Sequence, residues 1–172
     1  AITIHNIKYM KNFLFSIALI LFFISENNAH VGHYSKYNLL EYELFRNNQL
    51  IGYHKYIFDR ESSKLKIYNE VSFKITKLGV DLYKYYAKGV ETYNNGIFYG
   101  FNSTTNQNKK EKYVNITIDP TDQNLIIDGS SFKGKADKDI IIGTWWNHEI
   151  VQKKAQISAV SGRIIEQKVE FK

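Results

Sequence analysis

The chain of 172 residues contains no cysteine. Composition therefore excludes thiol catalysis, zinc–thiolate sites and iron–sulfur clusters. A folded core must rest on burial and hydrogen bonding alone. Proline occurs once, at Pro120, so no strand is interrupted by a residue that cannot donate to a ladder. Arginine is limited to Arg46, Arg60 and Arg163. The net charge is +6, but it is carried by lysines spread along the chain. The one short run, Lys109-Lys110 with Lys112, encloses Glu111. Phosphate and base-edge recognition favour the arginine fork, so no nucleic-acid partner is expected. Richness in Lys, Asn, Ile, Tyr and Phe fits an AT-rich coding sequence. Also missing are G-x-S-x-G, a P-loop, a dinucleotide fingerprint and H-E-x-x-H, any internal repeat and any low-complexity linker.

Long apolar runs are missing too, with one exception. After the single methionine, Met10, and Lys11, residues from Phe13 to Ile24 are apolar except Ser16. Ser25, Glu26, Asn27, Asn28 and Ala29 follow. A basic start, a short apolar stretch and a small residue at the exit describe a secretory signal peptide. A membrane anchor is the rival reading, and the run is short for a spanning helix. Asn27 also departs from the A-x-A cleavage pattern. The expected organisation is upstream translated residues at 1–9, a signal-peptide helix at 10–29 and one β domain at 30–172. Membrane contact is expected only through that segment, if it stays uncleaved.

From Tyr37 onward the pattern has period two. Leu65, Ile67, Val71, Phe73 and Ile75 fall on one face of a run whose other face holds Lys64, Lys66, Glu70, Ser72 and Lys74. Strand side chains alternate between faces, and one dry and one wet side mark an antiparallel sheet. Turn chemistry separates the runs: Asn47-Asn48-Gln49, Asn94-Asn95-Gly96, Asp119-Pro120-Thr121-Asp122, Asp128-Gly129-Ser130 and Ser161-Gly162. Asn-Gly supplies the positive φ of a type I′ hairpin turn. The expected fold is all-β: an antiparallel meander forming a curved sheet or partly open barrel. A short helix or structured loop is expected within Ile140–Val151. In the strand Val80–Tyr93, Tyr83, Tyr85 and Tyr93 share a face with Ala87 and Gly89. That strand reads either as a central strand covered on both sides or as one lining a tyrosine-rich surface, which tyrosine suits by its apolar body and polar tip.

Tyr42-Glu43-Leu44 to Asn48, then Ile51-Gly52-Tyr53-His54 and Phe58, resembles the opening hairpin of a bacterial family known as domain of unknown function 6134. Tyr85-Tyr86, the Asn95-Gly96 turn, Trp146-Asn147 and the Ser161-Gly162 turn are similar to its later segments. The likeness spans about Tyr37 to Ile165. It implies a periplasmic or secreted bacterial protein built on an antiparallel sheet, similar in style to envelope lipid carriers. Members usually continue beyond the last glycine turn. Against that pattern the chain reads as clipped at both ends, leaving Ile164–Phe171 without a strand partner.

Candidate chemistry is sparse. His54 sits in a strand on the face of Gly52, Tyr56 and Phe58, where a structural and a binding role are both open. Trp145-Trp146-Asn147-His148-Glu149 is the most concentrated segment. Adjacent tryptophans cannot both face the core of a regular strand, so the segment reads as a plug closing the sheet or as a ligand-stacking site. His30 and His33 lie near the expected cleavage site, where a terminal amine with an imidazole binds copper given a third ligand. Strand carboxylates such as Glu41, Glu43, Glu70, Asp81 and Glu91 read as a wetted face. The expectation is a non-catalytic envelope protein that binds an apolar or amphipathic ligand, lipid-like, through His54, Tyr56, Tyr83, Tyr85, Trp145, Trp146, Asn147 and His148. No catalytic or metal residues and no cofactor are assigned. The alternatives are a structural or protein-interaction module using an open sheet edge and, third, a hydrolase or copper enzyme.

Overall fold

The computed structural model describes residues 34–170. The expected signal segment, and the His30–His33 pair with it, lie outside the described residues. Eight strands follow one another in space as in sequence: β1 (Leu39–Arg46), β2 (Gln49–Glu61), β3 (Lys64–Lys77), β4 (Val80–Asn94), β5 (Ile97–Gln107), β6 (Lys110–Ile118), β7 (Leu125–Gly129) and β8 (Lys133–Ala136). Every neighbouring pair is antiparallel. The sheet is open, with β1 and β8 as its edges.

Local chemistry accounts for the hairpins. Asn47 and Asn48 both take positive φ, at 49° and 61°, and Asn95-Gly96 does the same at 50° and 76°. These are the backbone signs that a two-residue turn needs to match the twist of its strands. At Asp119 the side chain accepts from the Thr121 backbone at 2.8 Å, the local bond that makes aspartate a turn former.

The predicted alternation holds on β3. Leu65 and Ile67 are buried, Val71, Phe73 and Ile75 are half-buried, and Lys64, Lys66 and Lys74 are exposed. We call the side bearing these apolar residues the packed face. Its core lies under β5–β8, where Phe101, Val114, Ile116, Leu125 and Ile127 meet Ile142 and Ile157. The last two belong to a second, three-stranded sheet of β9 (Ile141–Ile142), β10 (Ala155–Ile157) and β11 (Ile164–Glu166). β10 pairs parallel to β9 and antiparallel to β11. The expectation that Ile164–Phe171 lacks a strand partner is therefore corrected: Ile164 to Glu166 pair with Ile157 to Ala155. A 3-10 helix, His148–Gln152, connects β9 to β10.

Two loops of this second layer reach the packed face. Residues 143–147 run from β9 to the 3-10 helix, and residues 158–163 join β10 to β11. In the latter, Gly162 has φ +79° and lies against Gly129, whose Cα is 3.1 Å from where a Cβ on Gly162 would sit. Only glycine combines that backbone with that approach.

Candidate functional site

The two loops roof a cavity of about 170 Å³ on the packed face. Its floor comes from β2 to β5: His54, Asn69 and Val71, then Tyr85, Ala87, Lys88 and Gly89, then Phe101 and Ser103. Its roof is Gly143, Thr144 and Trp145 on one side and Ala159 and Val160 on the other. Register explains the assembly. His54 stands opposite Val71, which stands opposite Ala87, and Asn69 opposite Gly89, which stands opposite Ser103. Small residues in the middle of wide strands leave the space that the roof closes over.

The roof is tied down by hydrogen bonds from the sheet. Tyr56, 2% exposed on β2, donates its phenolic proton to the Thr144 carbonyl at 2.6 Å. Ser103 on β5 donates to the Ala159 carbonyl at 2.6 Å. Glu91 on β4 is the third tie. Its Oε1 accepts from the Thr144 hydroxyl and from the Trp146 indole N–H, the latter at 2.8 Å. Its Oε2 accepts from the Tyr93 hydroxyl at 2.7 Å. Burial pushes the Glu91 carboxyl above its ordinary range, with the three donors opposing that shift. Tyr93 is pushed far up by burial and by the adjacent carboxylate.

Glu91 corrects the sequence reading, which put it on the wetted face. It is 4% exposed. Glu41, Glu43 and Asp81 are exposed on their strands, whereas Glu91 shares its face with Tyr85, Ala87, Gly89 and Tyr93. A carboxylate survives there because three donors reach it, and a buried polar group is tolerated only when bonded.

The polar corner of the cavity is His54. Its Nε2 lies 2.9 Å from the Asn69 side-chain oxygen, so Nε2–H donates and Nδ1 carries the lone pair. Nδ1 faces the Tyr56 hydroxyl at 3.4 Å, and the Tyr56 proton is already given to Thr144. Burial lowers the pKa of His54 below 6.5, against the Asn69 bond that favours the charged ring, which leaves a neutral imidazole at pH 7. Burial pushes the Tyr56 phenol well above its ordinary range. The corner therefore offers an uncharged acceptor beside an apolar space.

The other predicted residues fall around this cavity in different ways. Tyr85 and Trp145 line it with His54, and Tyr56 supports it from below. Trp145 is 60% exposed with φ +67°, and Trp146 is 3% exposed. The left-handed turn is what sends two adjacent indoles opposite ways. Trp146 packs edge-on against Phe58, Tyr93 and Tyr34. Tyr83 is not among the lining residues. It stacks on Phe73 at 5.8 Å and its hydroxyl accepts from Gln107. Asn147 caps the 3-10 helix, accepting from the Glu149 backbone at 3.0 Å. The His148 ring sits 6.3 Å from that of Tyr34. Among the described residues no group of three or more His, Asp or Glu side chains is arranged to hold a metal.

The model of a protein family described as Domain of unknown function (DUF6134) matches residues 42–172. No curated protein and no solved structure matches the chain.

Proposed function

We propose, from the premise that the chain belongs to the DUF6134 family, that it is an exported, non-catalytic binding protein for an apolar or amphipathic small molecule. Its seat is the roofed cavity. The observation that carries this reading is the lining: Val71, Ala87, Phe101, Trp145 and Val160, with a few polar residues among them, His54 and Asn69 forming one corner. Ligand sites commonly pair apolar walls with a few placed polar groups. A space of about 170 Å³ matches one aromatic ring or the end of an acyl chain, since an apolar cavity of about 150 Å³ takes up benzene. A lipid-like ligand would insert one end there and turn a hydroxyl or amide toward His54. Export is supported by the sequence from Met10 to Ala29.

The experiment is uptake of indole by the full chain, followed by the ligand-induced rise in thermal midpoint and by two-dimensional NMR. Wild type is expected to gain stability with indole, with shifts at Ala87 and Val160. Ala87→Leu fills the cavity and is expected to remove the gain while keeping the fold. No uptake by wild type, or equal uptake by both proteins, overturns the reading.

One feature favours a second reading, a module that recruits another chain to its sheet edge. β1 is an open edge carrying Leu39, Tyr42 and Phe45, each 51–59% exposed. Concentration-dependent association without indole uptake would select it.

A further inference from the structure

In a meander, alternate turns lie at the same end. The β1–β2, β3–β4 and β5–β6 turns therefore gather at one end of the large sheet. Two contacts bear this out. A groove of about 490 Å³ is lined by Arg46 and Leu50 from the first hairpin and by Lys74, Lys77 and Leu82 from the second. Asn108, in the third turn, donates its backbone N–H to the Lys84 carbonyl at 2.9 Å and accepts from the Lys84 N–H at 2.7 Å.

This end combines two properties. The first is exposed apolar surface. Leu78 is 95% exposed at the tip of the β3–β4 turn, with Val80 at 61%, Leu82 at 55% and Leu50 at 59%. Leu78 has φ +52°, a backbone region that asparagine and glycine enter at little cost and leucine does not. The other two turns at this end use Asn47-Asn48 and Asn108-Lys109 for the same task. A leucine there gains nothing from the core of its own chain. The second property is charge. The row Leu44–Gly52–Phe73–Tyr85–Gln107–Lys110 crosses the first six strands. From that row to the turns the cations are Arg46, Lys74, Lys77, Lys84, Lys109 and Lys110. The only carboxylate is Asp81, held by Lys84 at 2.9 Å and Lys74 at 3.5 Å. Among the described residues, Arg46, Lys77, Lys109 and Lys110 make no ion pair.

We propose that this end of the sheet docks on an anionic lipid bilayer, with Leu78 and Val80 entering the interface and Arg46, Lys77, Lys109 and Lys110 facing lipid phosphates. Apolar side chains on a projecting tip gain by entering the acyl boundary, and a surrounding set of cations gains from the negative surface potential. The opposite end also exposes an apolar residue, Ile97, but its cations are offset by carboxylates: Asp59 and Glu61 lie beside Arg60 and Lys64, and Asp119 and Asp122 lie in the β6–β7 turn. The docking surface shares no lining residue with the roofed cavity and stands independently of what that cavity binds. It adds a membrane contact to the one expected from the N-terminal segment.

The absence of cysteine gives a direct test on the full chain. Leu78→Cys and, at the opposite end, Ile97→Cys each carry one environment-sensitive fluorophore; Ile97 is 71% exposed. Both are mixed with vesicles of phosphatidylcholine alone or with phosphatidylglycerol. The expected result is a blue shift for the label at position 78 only, on the anionic vesicles only. Adding Lys77→Glu is expected to weaken that binding by about fivefold or more, the scale for one basic residue at such a surface. Four results would each overturn the proposal. These are no shift at position 78, equal shifts at 78 and 97, equal shifts with neutral vesicles, and a shift that grows with protein concentration without vesicles, which would assign the patch to a second copy of the chain.

Discussion

The indole N–H of Trp146 donates to the Glu91 carboxylate at 2.8 Å, joining the roof to the centre of the sheet across 55 residues of chain. The same oxygen also accepts from Thr144. One buried carboxylate thus fixes both the inward tryptophan and the loop that carries the outward one.

Replacing that acceptor tests its weight. Glu91→Leu leaves Trp146, Thr144 and Tyr93 without their partner, and stranded buried donors cost about 1–3 kcal/mol each. We expect a loss of about 3 kcal/mol or more in urea unfolding. Glu91→Gln keeps an oxygen for Trp146 and Thr144 and presents an amide to the Tyr93 hydroxyl, so its loss is expected to be about 1 kcal/mol.

The same pair of proteins predicts a pH effect. The folded-state pKa of Glu91 lies above the ordinary 4.5, chiefly through burial. Between those two values the native state binds more protons than the unfolded chain, so stability falls as pH rises. The contribution is fully present below pH 4.5 and is lost as pH climbs through the raised folded value. Unfolding midpoints should therefore decline for wild type relative to Glu91→Gln over that window. Asp119, Asp122 and Asp128, whose pKa values are lowered by their lysine and backbone partners, act in a separate window: their stabilisation is present above about pH 3.8 and is lost as pH falls below it.

Tyr56→Phe removes the donor to Thr144 and strands a buried carbonyl. A loss of about 1–3 kcal/mol is expected. The roof should loosen with it, so indole affinity should drop more than it does in Tyr83→Phe, whose hydroxyl lies outside the cavity. Thermal midpoints with and without indole separate the two effects.

Gly52 tests the opening hairpin. A Cβ there would sit 2.0 Å from the Ser72 carbonyl oxygen on the paired strand. Because the obstacle is backbone, the ladder itself must move. Gly52→Ala is expected to cost about 1–3 kcal/mol, read as a lowered urea midpoint with β-sheet circular dichroism retained.

The meander was legible because its strands are long and one-sided. Leu65, Ile67, Val71, Phe73 and Ile75 alternate with charges over many residues, and Asn-Gly turns mark the reversals. His54 was placed on its correct face by the same parity. The second sheet was not legible, because Ile141–Ile142 and Ala155–Ile157 are too short to show a period. Their parallel pairing also joins segments that no hairpin turn connects. Glu91 was misread although its parity with Tyr85, Ala87 and Tyr93 was available. A carboxylate looks wet until its donors are known, and Thr144 and Trp146 lie more than fifty positions away. Asn69 went unremarked as a partner of His54 for a related reason: only the β2–β3 register reveals it.

The order of the strands has a consequence for how the protein is made. Each strand from β2 to β8 pairs with its immediate predecessor, so as the chain emerges every new strand can lock onto sheet already formed. The ties from Tyr56 and Glu91 must wait for Thr144 and Trp146, which follow all eight strands of the large sheet in the chain. The pocket thus stays uncovered until the ribbon beneath it is complete. Lid amides at 143–147 should exchange with deuterium sooner than those of β3 and β4.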